Sequence, residues 1–192
     1  MSGFGGTGEG QLFDMDGRRK YLTRNEARHL LAAARKADAR TRLFCELLYY
    51  TGARLSEGLQ VTRQRLDADT GRVVFRTLKR RRTVYRAVPV PHHLMTELLA
   101  FADTLLPDEP LFRWSRQTGW RRIKALMEAA GIAGPQATAK GFHHQYGCHA
   151  IGCGLPESLV GRLLGHANPR STRVYTHVVD TEERALTARM WS

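Results

Sequence analysis

The chain has 192 residues, and its 30 Lys and Arg against 18 Asp and Glu give a net charge of +12. This length suits one domain with a buried core, and the excess positive charge favours a polyanionic partner, nucleic acid first. No stretch approaches the roughly 18 consecutive apolar residues of a membrane-spanning helix, and no signal peptide opens the chain, so we expect a cytoplasmic protein.

The first residues, MSGFGGTGEGQ, are rich in glycine and lack apolar periodicity. Such a segment cannot bury enough surface to order itself, so we predict a disordered tail over residues 1–20 and a single domain over residues 21–192. Cys45, Cys148 and Cys153 lack the paired spacing of a disulfide scaffold or a zinc ribbon, and we expect reduced, structural thiols.

The first half of the chain predicts three helices and a hairpin. The first helix is predicted in residues 21–37, where Thr23 and Glu26 form a capping box, the second in residues 41–50 and the third in residues 53–63. Two runs rich in β-branched and aromatic residues, VVFRTL and TVYRAVPV, flank the basic segment KRRR. This pattern predicts an antiparallel hairpin with a basic tip.

The sequence of the second half of the chain predicts only helices. Pro91 opens a helix over residues 92–105, and further helices are expected over residues 120–130, across the histidine-rich stretch KGFHHQYGCHAI, over residues 156–164, around Tyr175 and over residues 182–191. The predicted fold class is therefore mainly α with a small antiparallel β-sheet (α+β).

The hairpin is more basic than a solvated hairpin needs to be. Its cations are Arg76, Lys79, Arg80, Arg81, Arg82 and Arg86. A basic surface ribbon without a ligand is one interpretation. With double-stranded DNA as partner, the arginines of this ribbon would contact the backbone and supply affinity that falls steeply with salt.

A further motif, LLGHANPRSTRVYTHV, places His166 nine residues before Tyr175. Together with LLYYTGARLSE, the hairpin ending in VPVP, and AKGFHHQYGCHAI followed by GLPESLVGRLLGH, it resembles the catalytic domain of the tyrosine recombinases, or phage integrases, from about Tyr21 to Val179. The resemblance implies the catalytic-core fold of that family. It also implies cutting and rejoining of DNA through a 3′-phosphotyrosyl intermediate.

The resemblance assigns a role to each matching residue. Tyr175 is expected to be the nucleophile, Arg54 the first phosphate-clamping arginine, and Glu57 the acidic residue that braces Arg54. Lys79 corresponds to the lysine that protonates the leaving 5′-oxygen. His166 corresponds to the histidine that hydrogen-bonds the phosphate.

Physical chemistry agrees with these roles. Phosphoryl transfer needs fixed cationic donors on the phosphate oxygens, and the planar fork of Arg54 suits that task. A phenol with a pKa of about 10 must lose its proton as it attacks, which a cation-rich site favours. We therefore expect neither a metal nor a cofactor.

The histidine-rich stretch departs from the family pattern. The spacing from LLGH puts Lys140 and His143 on the first and last positions of an HxxR box, which here reads KxxH. Loss of one bidentate clamp would cost roughly 3 to 4 kcal/mol of transition-state stabilisation. A zinc site formed by His143, His144, Cys148, His149 and Cys153 and a plain core helix are the alternatives, and we favour an altered catalytic box containing Lys140 and His143.

Three functions are compatible with these features. The first is a minimal tyrosine recombinase or integrase of a mobile genetic element, with activity reduced by His143. The second is a catalytically degenerate homologue that acts as a DNA-binding or accessory protein. The third is a nicking enzyme related to type IB topoisomerases. The four matching catalytic residues favour the first.

The resemblance also raises expectations about assembly. The helical core-binding domain that usually precedes the catalytic domain has no counterpart in the roughly twenty residues before Tyr21, so we expect an accessory protein or tighter dimerisation. The apolar residues of EERALTARMW suggest a C-terminal docking helix. We expect a homodimer or tetramer on DNA, associated with the nucleoid.

Overall fold

A computed structural model describes residues 12–79, 82–106, 108–177 and 190. The helices are α1 Arg24–Ala34, α2 Ala39–Thr51, α3 Leu55–Gly58, α4 His92–Ala102, α5 Arg116–Ala129, α6 Ala139–Gly152, α7 Glu157–Leu164 and α8 Arg170–Arg173. The strands are β1 Leu66–Asp67, β2 Arg72–Lys79 and β3 Arg82–Pro89. The predicted class, mainly α with a small antiparallel sheet, is confirmed.

The capping box that predicted α1 is present. The Thr23 hydroxyl accepts the Glu26 N–H, and the Glu26 carboxylate accepts the Thr23 N–H at 2.8 Å. The same carboxylate accepts hydrogen bonds from Arg19 and from Gln136. Glu26 thus ties the start of α1 to the segments that precede α1 and α6.

The three strands form an antiparallel sheet in the order β1-β2-β3. Val73 lies opposite Val88 and Phe75 lies opposite Arg86, and all four side chains face the core. Three of them are apolar, so Arg86 is the exception on this face. The sheet covers α3 on one side and contacts α7 through β3.

Helix α2 lies at the centre of the fold and packs against α1, α4, α5 and α6. It ends at Gly52, which adopts a left-handed conformation (φ 60°). A Cβ atom at this position would lie 2.8 Å from the Tyr146 ring of α6, so only glycine permits this close approach. The approach sets the distance between α2 and the histidine-rich helix α6.

The structure corrects several predicted boundaries. Leu12 is buried and Phe13 pairs with Arg19, so residues 12–20 belong to the folded unit; residues 1–11 lie outside the described part. The third helix ends at Gly58, five residues earlier than predicted.

Tyr175 lies on a short 3-10 turn, Val174–His177. The predicted C-terminal helix over residues 182–191 lies outside the described residues, apart from Met190.

Helix α5 starts at Arg116, four residues before the predicted start, because the Ser115 hydroxyl caps it by accepting the Thr118 N–H. No helix in the described part of the chain is long and apolar enough to cross a membrane.

Candidate active site

An open cleft of about 650 Å³ lies between α3, α5, α6 and the loop after α7. Its described lining residues are Lys20, Arg54, Leu55, Ser56, Arg116, Trp120, Pro135, Thr138, Ala139, Lys140, His143, His144, His166, Ser171 and Tyr175. Four of these are lysine or arginine and none is acidic. The described lining of the cleft therefore has a net positive charge and includes His143, His144 and His166.

Five of the six predicted catalytic residues line this cleft: Arg54, Lys140, His143, His166 and Tyr175. They come from three stretches that are far apart in the sequence: Arg54, then Lys140 with His143, then His166 with Tyr175. Lys140 lies in the first turn of α6 with an exposed side chain, where it adds positive charge to the cleft.

Arg54 is the N-cap residue of α3, and 42% of its side chain is exposed to the cleft. Glu57, the residue expected to brace Arg54, contacts it at two points. The Glu57 carboxylate accepts the Arg54 backbone N–H at 2.9 Å and lies 3.4 Å from Nη1 of Arg54. The guanidinium is thus held by one edge and keeps its remaining donors towards the cleft.

The main partner of Glu57 is Arg86. Nη1 and Nη2 of Arg86 donate to the two carboxylate oxygens at 2.9 and 2.8 Å, and Nε donates to the Leu163 carbonyl at 2.8 Å. The Thr77 hydroxyl donates to the same carboxylate at 2.5 Å. Burial alone would raise the pKa of Glu57, but these donors, with the charge of Arg86, lower it to about 2.

The prediction that Arg86 contacts DNA is therefore wrong. Its side chain is 7% exposed and lies over the Phe75 ring, because strand alternation turns it to the same face as Val88. Arg86 is a structural residue that joins the hairpin to α3 and to the end of α7.

The other hairpin cations are placed only in part. Arg76 is exposed on β2, opposite Tyr85. Lys79 is the last residue of β2 and pairs through its backbone with Arg82, the first residue of β3. Arg80 and Arg81, and the side chains of Lys79 and Arg82, lie outside the described part of the structure.

His143 turns both ring nitrogens towards protein partners. Nδ1 lies 2.7 Å from the carbonyl oxygen of Gly52, and Nε2 lies 3.1 Å from Nε2 of His166. The side chain is buried, and this burial, with the charge of Arg54, lowers its pKa to about 3. His143 is therefore a neutral imidazole with both ring nitrogens directed towards protein partners.

His166 follows Gly165, which ends α7 in a left-handed conformation (φ 68°). The Nδ1 atom of His166 lies 2.8 Å from the Thr172 hydroxyl. That hydroxyl approaches closely because the neighbouring residue on α7 is Gly161, where a Cβ atom would lie 2.8 Å from it. Thr172 and His143 together fix both nitrogens of His166.

Tyr175 is buried, with 1% of its surface exposed, and its ring is stacked on that of His166. Its hydroxyl lies 3.3 Å from Nδ1 of His144. Burial raises the pKa of Tyr175 and the nearby Cys148 raises it further, while the charge of Arg54 opposes the rise. The ring fits against α6 at Gly147, where a Cβ atom would lie 2.5 Å from it.

The alternative zinc site has no geometric support. His143 and His144 face the cleft, whereas His149 lies on the exposed side of α6 with Cys153 3.8 Å from its Nε2. Among the residues that the structure describes, no three His, Cys, Asp or Glu side chains are grouped to hold a metal ion.

Three residues that line the cleft or contact its histidines were not predicted from the sequence. Arg116 reaches the cleft because α5 starts early, and the Ser115 cap is the signal that would have shown it. Lys20 falls in the segment assigned to the tail. Thr172 carries no sequence signal for its contact with His166.

Comparisons with known proteins find a matching family model and similar relatives. The family model described as "Phage integrase family" matches residues 20–182. The chain is 30% identical over 169 residues to the tyrosine recombinase XerA of Thermococcus kodakarensis, covering 83% of this chain and 58% of the relative.

Solved structures show the same similarity. A crystal structure of XerA recombinase superposes with a TM-score of 0.74 at 26% identity, covering 88% of this chain and 64% of that one. A post-cleavage complex of the XerH site-specific recombinase with palindromic difH substrate superposes with a TM-score of 0.77 at 20% identity, covering 90% and 54%. The chain spans about three fifths of the length of its curated relatives.

Proposed function

Because this chain belongs to the phage integrase family of tyrosine recombinases, we propose that it is a site-specific recombinase or integrase that cuts and rejoins double-stranded DNA. The observation that carries the proposal is the cleft, which gathers Arg54, Lys140, His166 and Tyr175 around a space free of described acidic side chains. A backbone phosphate fits that charge.

In the proposed reaction the Tyr175 hydroxyl loses its proton to solvent as its oxygen attacks the phosphorus, the bond from phosphorus to the 5′-oxygen breaks, and a 3′-phosphotyrosyl bond remains. Arg54 and Lys140 neutralise the phosphate oxygens, and Lys79 protonates the leaving oxygen. Rejoining reverses these steps. The bond energy stays in the phosphotyrosyl link, so no nucleotide is consumed.

Tyr175 must become accessible before it can attack. Its ring lies beneath His166, and burial disfavours the phenolate. We infer that DNA binding shifts the 3-10 turn that carries Tyr175, so that the hydroxyl leaves His144 and reaches the phosphate.

A second candidate function is DNA binding without cleavage, and the geometry of His143 favours it. An arginine at that position would supply a charged, bidentate clamp, whereas the imidazole here is neutral and directed towards Gly52 and His166. A protein that only binds DNA would keep the cationic cleft and form no covalent bond.

Covalent capture separates the two functions. The protein is incubated with a pool of nicked duplexes of random sequence, and denaturant-resistant adducts are identified by mass spectrometry of the Tyr175 peptide. Recombinase activity predicts an adduct from the native protein and none from Tyr175→Phe. An adduct that appears only in His143→Arg would show that the native chain binds DNA without cutting it.

We further propose that the chain acts on DNA as a homodimer or tetramer associated with the nucleoid. The XerH complex contains a palindromic substrate, and a palindrome offers two equivalent half-sites to a symmetric pair of subunits. Mass photometry with and without a duplex tests the stoichiometry. An accessory protein for target recognition remains part of the proposal, and co-purification on target DNA tests it.

A further inference from the structure

The hydrogen bond between His143 and His166 fixes the position of a proton. The Gly52 carbonyl can only accept, so Nδ1 of His143 carries the hydrogen in the bond of 2.7 Å. In a neutral His143, Nε2 is then an acceptor. The hydrogen between the two rings therefore belongs to Nε2 of His166, at 3.1 Å.

The surroundings keep His143 neutral. It is buried at the floor of the cleft, and the charged side chains that share this cleft are Lys20, Arg54, Arg116 and Lys140. His144 and Tyr175 are its other titratable neighbours there. Glu57, the carboxylate that contacts Arg54, is already bound by Arg86.

His166 can accept a second proton and keep its hydrogen bonds with His143 and Thr172. Its Nε2–H continues to donate to His143, and the hydroxyl of Thr172 needs only to rotate from donor to acceptor for Nδ1, which lies 2.8 Å away. The structure thus holds both partners that an imidazolium at His166 requires.

We propose that His143 is a positioning residue that holds His166 as a proton-accepting partner, so that the pair takes up one proton when a phosphate enters the cleft. The proton comes from solvent and adds to Nδ1 of His166. The pair then supplies, on binding, the positive charge that an arginine at position 143 would carry permanently. This inference rests on the proposed function for its role in cleavage.

The physical reason lies in the balance of charges. In the empty cleft the neighbouring cations oppose a further positive charge on the imidazole pair. A phosphate brings negative charge within a few ångströms and reverses that balance. A permanently charged arginine would need no such proton, so the pair makes the binding of a phosphate dependent on pH.

Imidazole ¹⁵N NMR of the full chain tests the proton positions. We expect His143 as the Nδ1–H tautomer and His166 with a hydrogen on Nε2. Sulfate serves as the probe, because it is a tetrahedral anion that does not titrate near neutral pH. Replacing chloride by sulfate at equal ionic strength should raise the titration midpoint of His166 by about half a pH unit or more. A His166 protonated on Nδ1 alone, or a midpoint unchanged by sulfate, would overturn the proposal.

Three variants separate positioning from packing. His143→Gln keeps one donor and one acceptor and should preserve the sulfate-induced shift at His166. His143→Leu fills a similar volume without polar atoms and should abolish that shift. His149→Gln, on the exposed side of the same helix, is the matched control and should leave the shift unchanged. Retention of the full shift in His143→Leu would contradict the proposed role.

Adduct formation links the pair to catalysis. As the pH falls from about 8.5 to 6, the ratio of the native rate to the His143→Arg rate should rise by up to tenfold per pH unit, because the two proteins share every other proton transfer. A ratio that does not change with pH would contradict the link to catalysis. If no adduct forms with any variant, the proposed recombinase function fails, while the NMR results still decide the inference about the pair.

Discussion

Two charged regions border α3, and they differ in whether their charged side chains form ion pairs. In the buried network behind α3, Glu57 and Arg86 satisfy each other through two short hydrogen bonds, and Thr77 and the Leu163 carbonyl complete the set. In the cleft on the other side, Lys20, Arg116 and Lys140 have no ion-pair partner among the described residues. The paired charges hold the fold together, and the unpaired charges are left for a ligand.

Arg54 belongs to both regions. Its backbone N–H and one edge of its guanidinium contact Glu57, while its exposed part faces the cleft. The buried network therefore aims an arginine at the ligand. Residue type alone therefore does not predict the role of an arginine. Arg86 and Arg54 contact the same carboxylate, but the Arg86 side chain is buried and the Arg54 side chain is partly exposed.

The largest expected effect comes from breaking the buried pair. Glu57→Gln leaves the Arg86 guanidinium buried without a carboxylate, which should lower the free energy of unfolding by about 3–5 kcal/mol. Urea denaturation measures it. The control is Asp103→Asn, which removes a surface pair with Arg63 and should cost less than about 1 kcal/mol. Equal losses in the two variants would show that the buried pair is not special.

Low pH should remove the stability that the buried Glu57–Arg86 pair contributes. The pKa of Glu57 is about 2 in the folded protein and about 4.5 when unperturbed, so the unfolded chain binds the extra proton first. The contribution of Glu57 to stability is complete above about pH 4.5 and is lost as the pH falls towards 2, by about 3 kcal/mol. The stability gap between the native protein and Glu57→Gln should narrow over that range. A gap that stays constant with pH would contradict the prediction.

In the cleft region, Tyr175 lies in a buried pocket that depends on Gly147. Gly147→Ala places a methyl group 2.5 Å from the Tyr175 ring and should cost about 1–3 kcal/mol of stability through overpacking. The matched control is Gly152→Ala on the same helix, where nothing lies within 4 Å of the added Cβ atom. That variant should gain up to about 1 kcal/mol from helix propensity. A stabilised Gly147→Ala variant would show that Tyr175 does not occupy this pocket.

Sequence patterns predicted local structure well and side-chain partnerships less well. The capping box at Thr23 and Glu26 marked the start of α1 because both partners lie within one turn. The hairpin followed from its β-branched runs and basic tip. The direction of Arg86 was missed, although its even spacing from Val88 places it on the buried face. The prediction grouped Arg86 with the other cations of the hairpin and did not consider that alternate residues of a strand face opposite sides of the sheet.

The candidate site shows the limit of sequence reasoning more clearly. The family resemblance, with the spacing from LLGH, predicted that Lys140, His143 and Tyr175 share one site, and the cleft contains all three. The contact between His143 on α6 and His166 in the loop after α7 joins residues 23 positions apart, and the contact with Gly52 spans 91 positions. Neither distance follows from periodicity, because tertiary packing of α2 and of α7 against α6 sets them.

The smallest expected effect concerns the unpaired cations themselves. Arg116→Gln and Lys140→Gln each remove one positive charge from the cleft without removing an ion pair among the described residues. Each variant should weaken duplex binding several-fold, similarly for all sequences, and reduce the slope of log affinity against log salt by about one. Fluorescence anisotropy across a salt series measures both quantities. Lys36→Gln, an exposed lysine outside the cleft, is the control; if its slope fell as much, the chain would bind DNA through its general charge, and the distinction between the two regions would not extend to DNA binding.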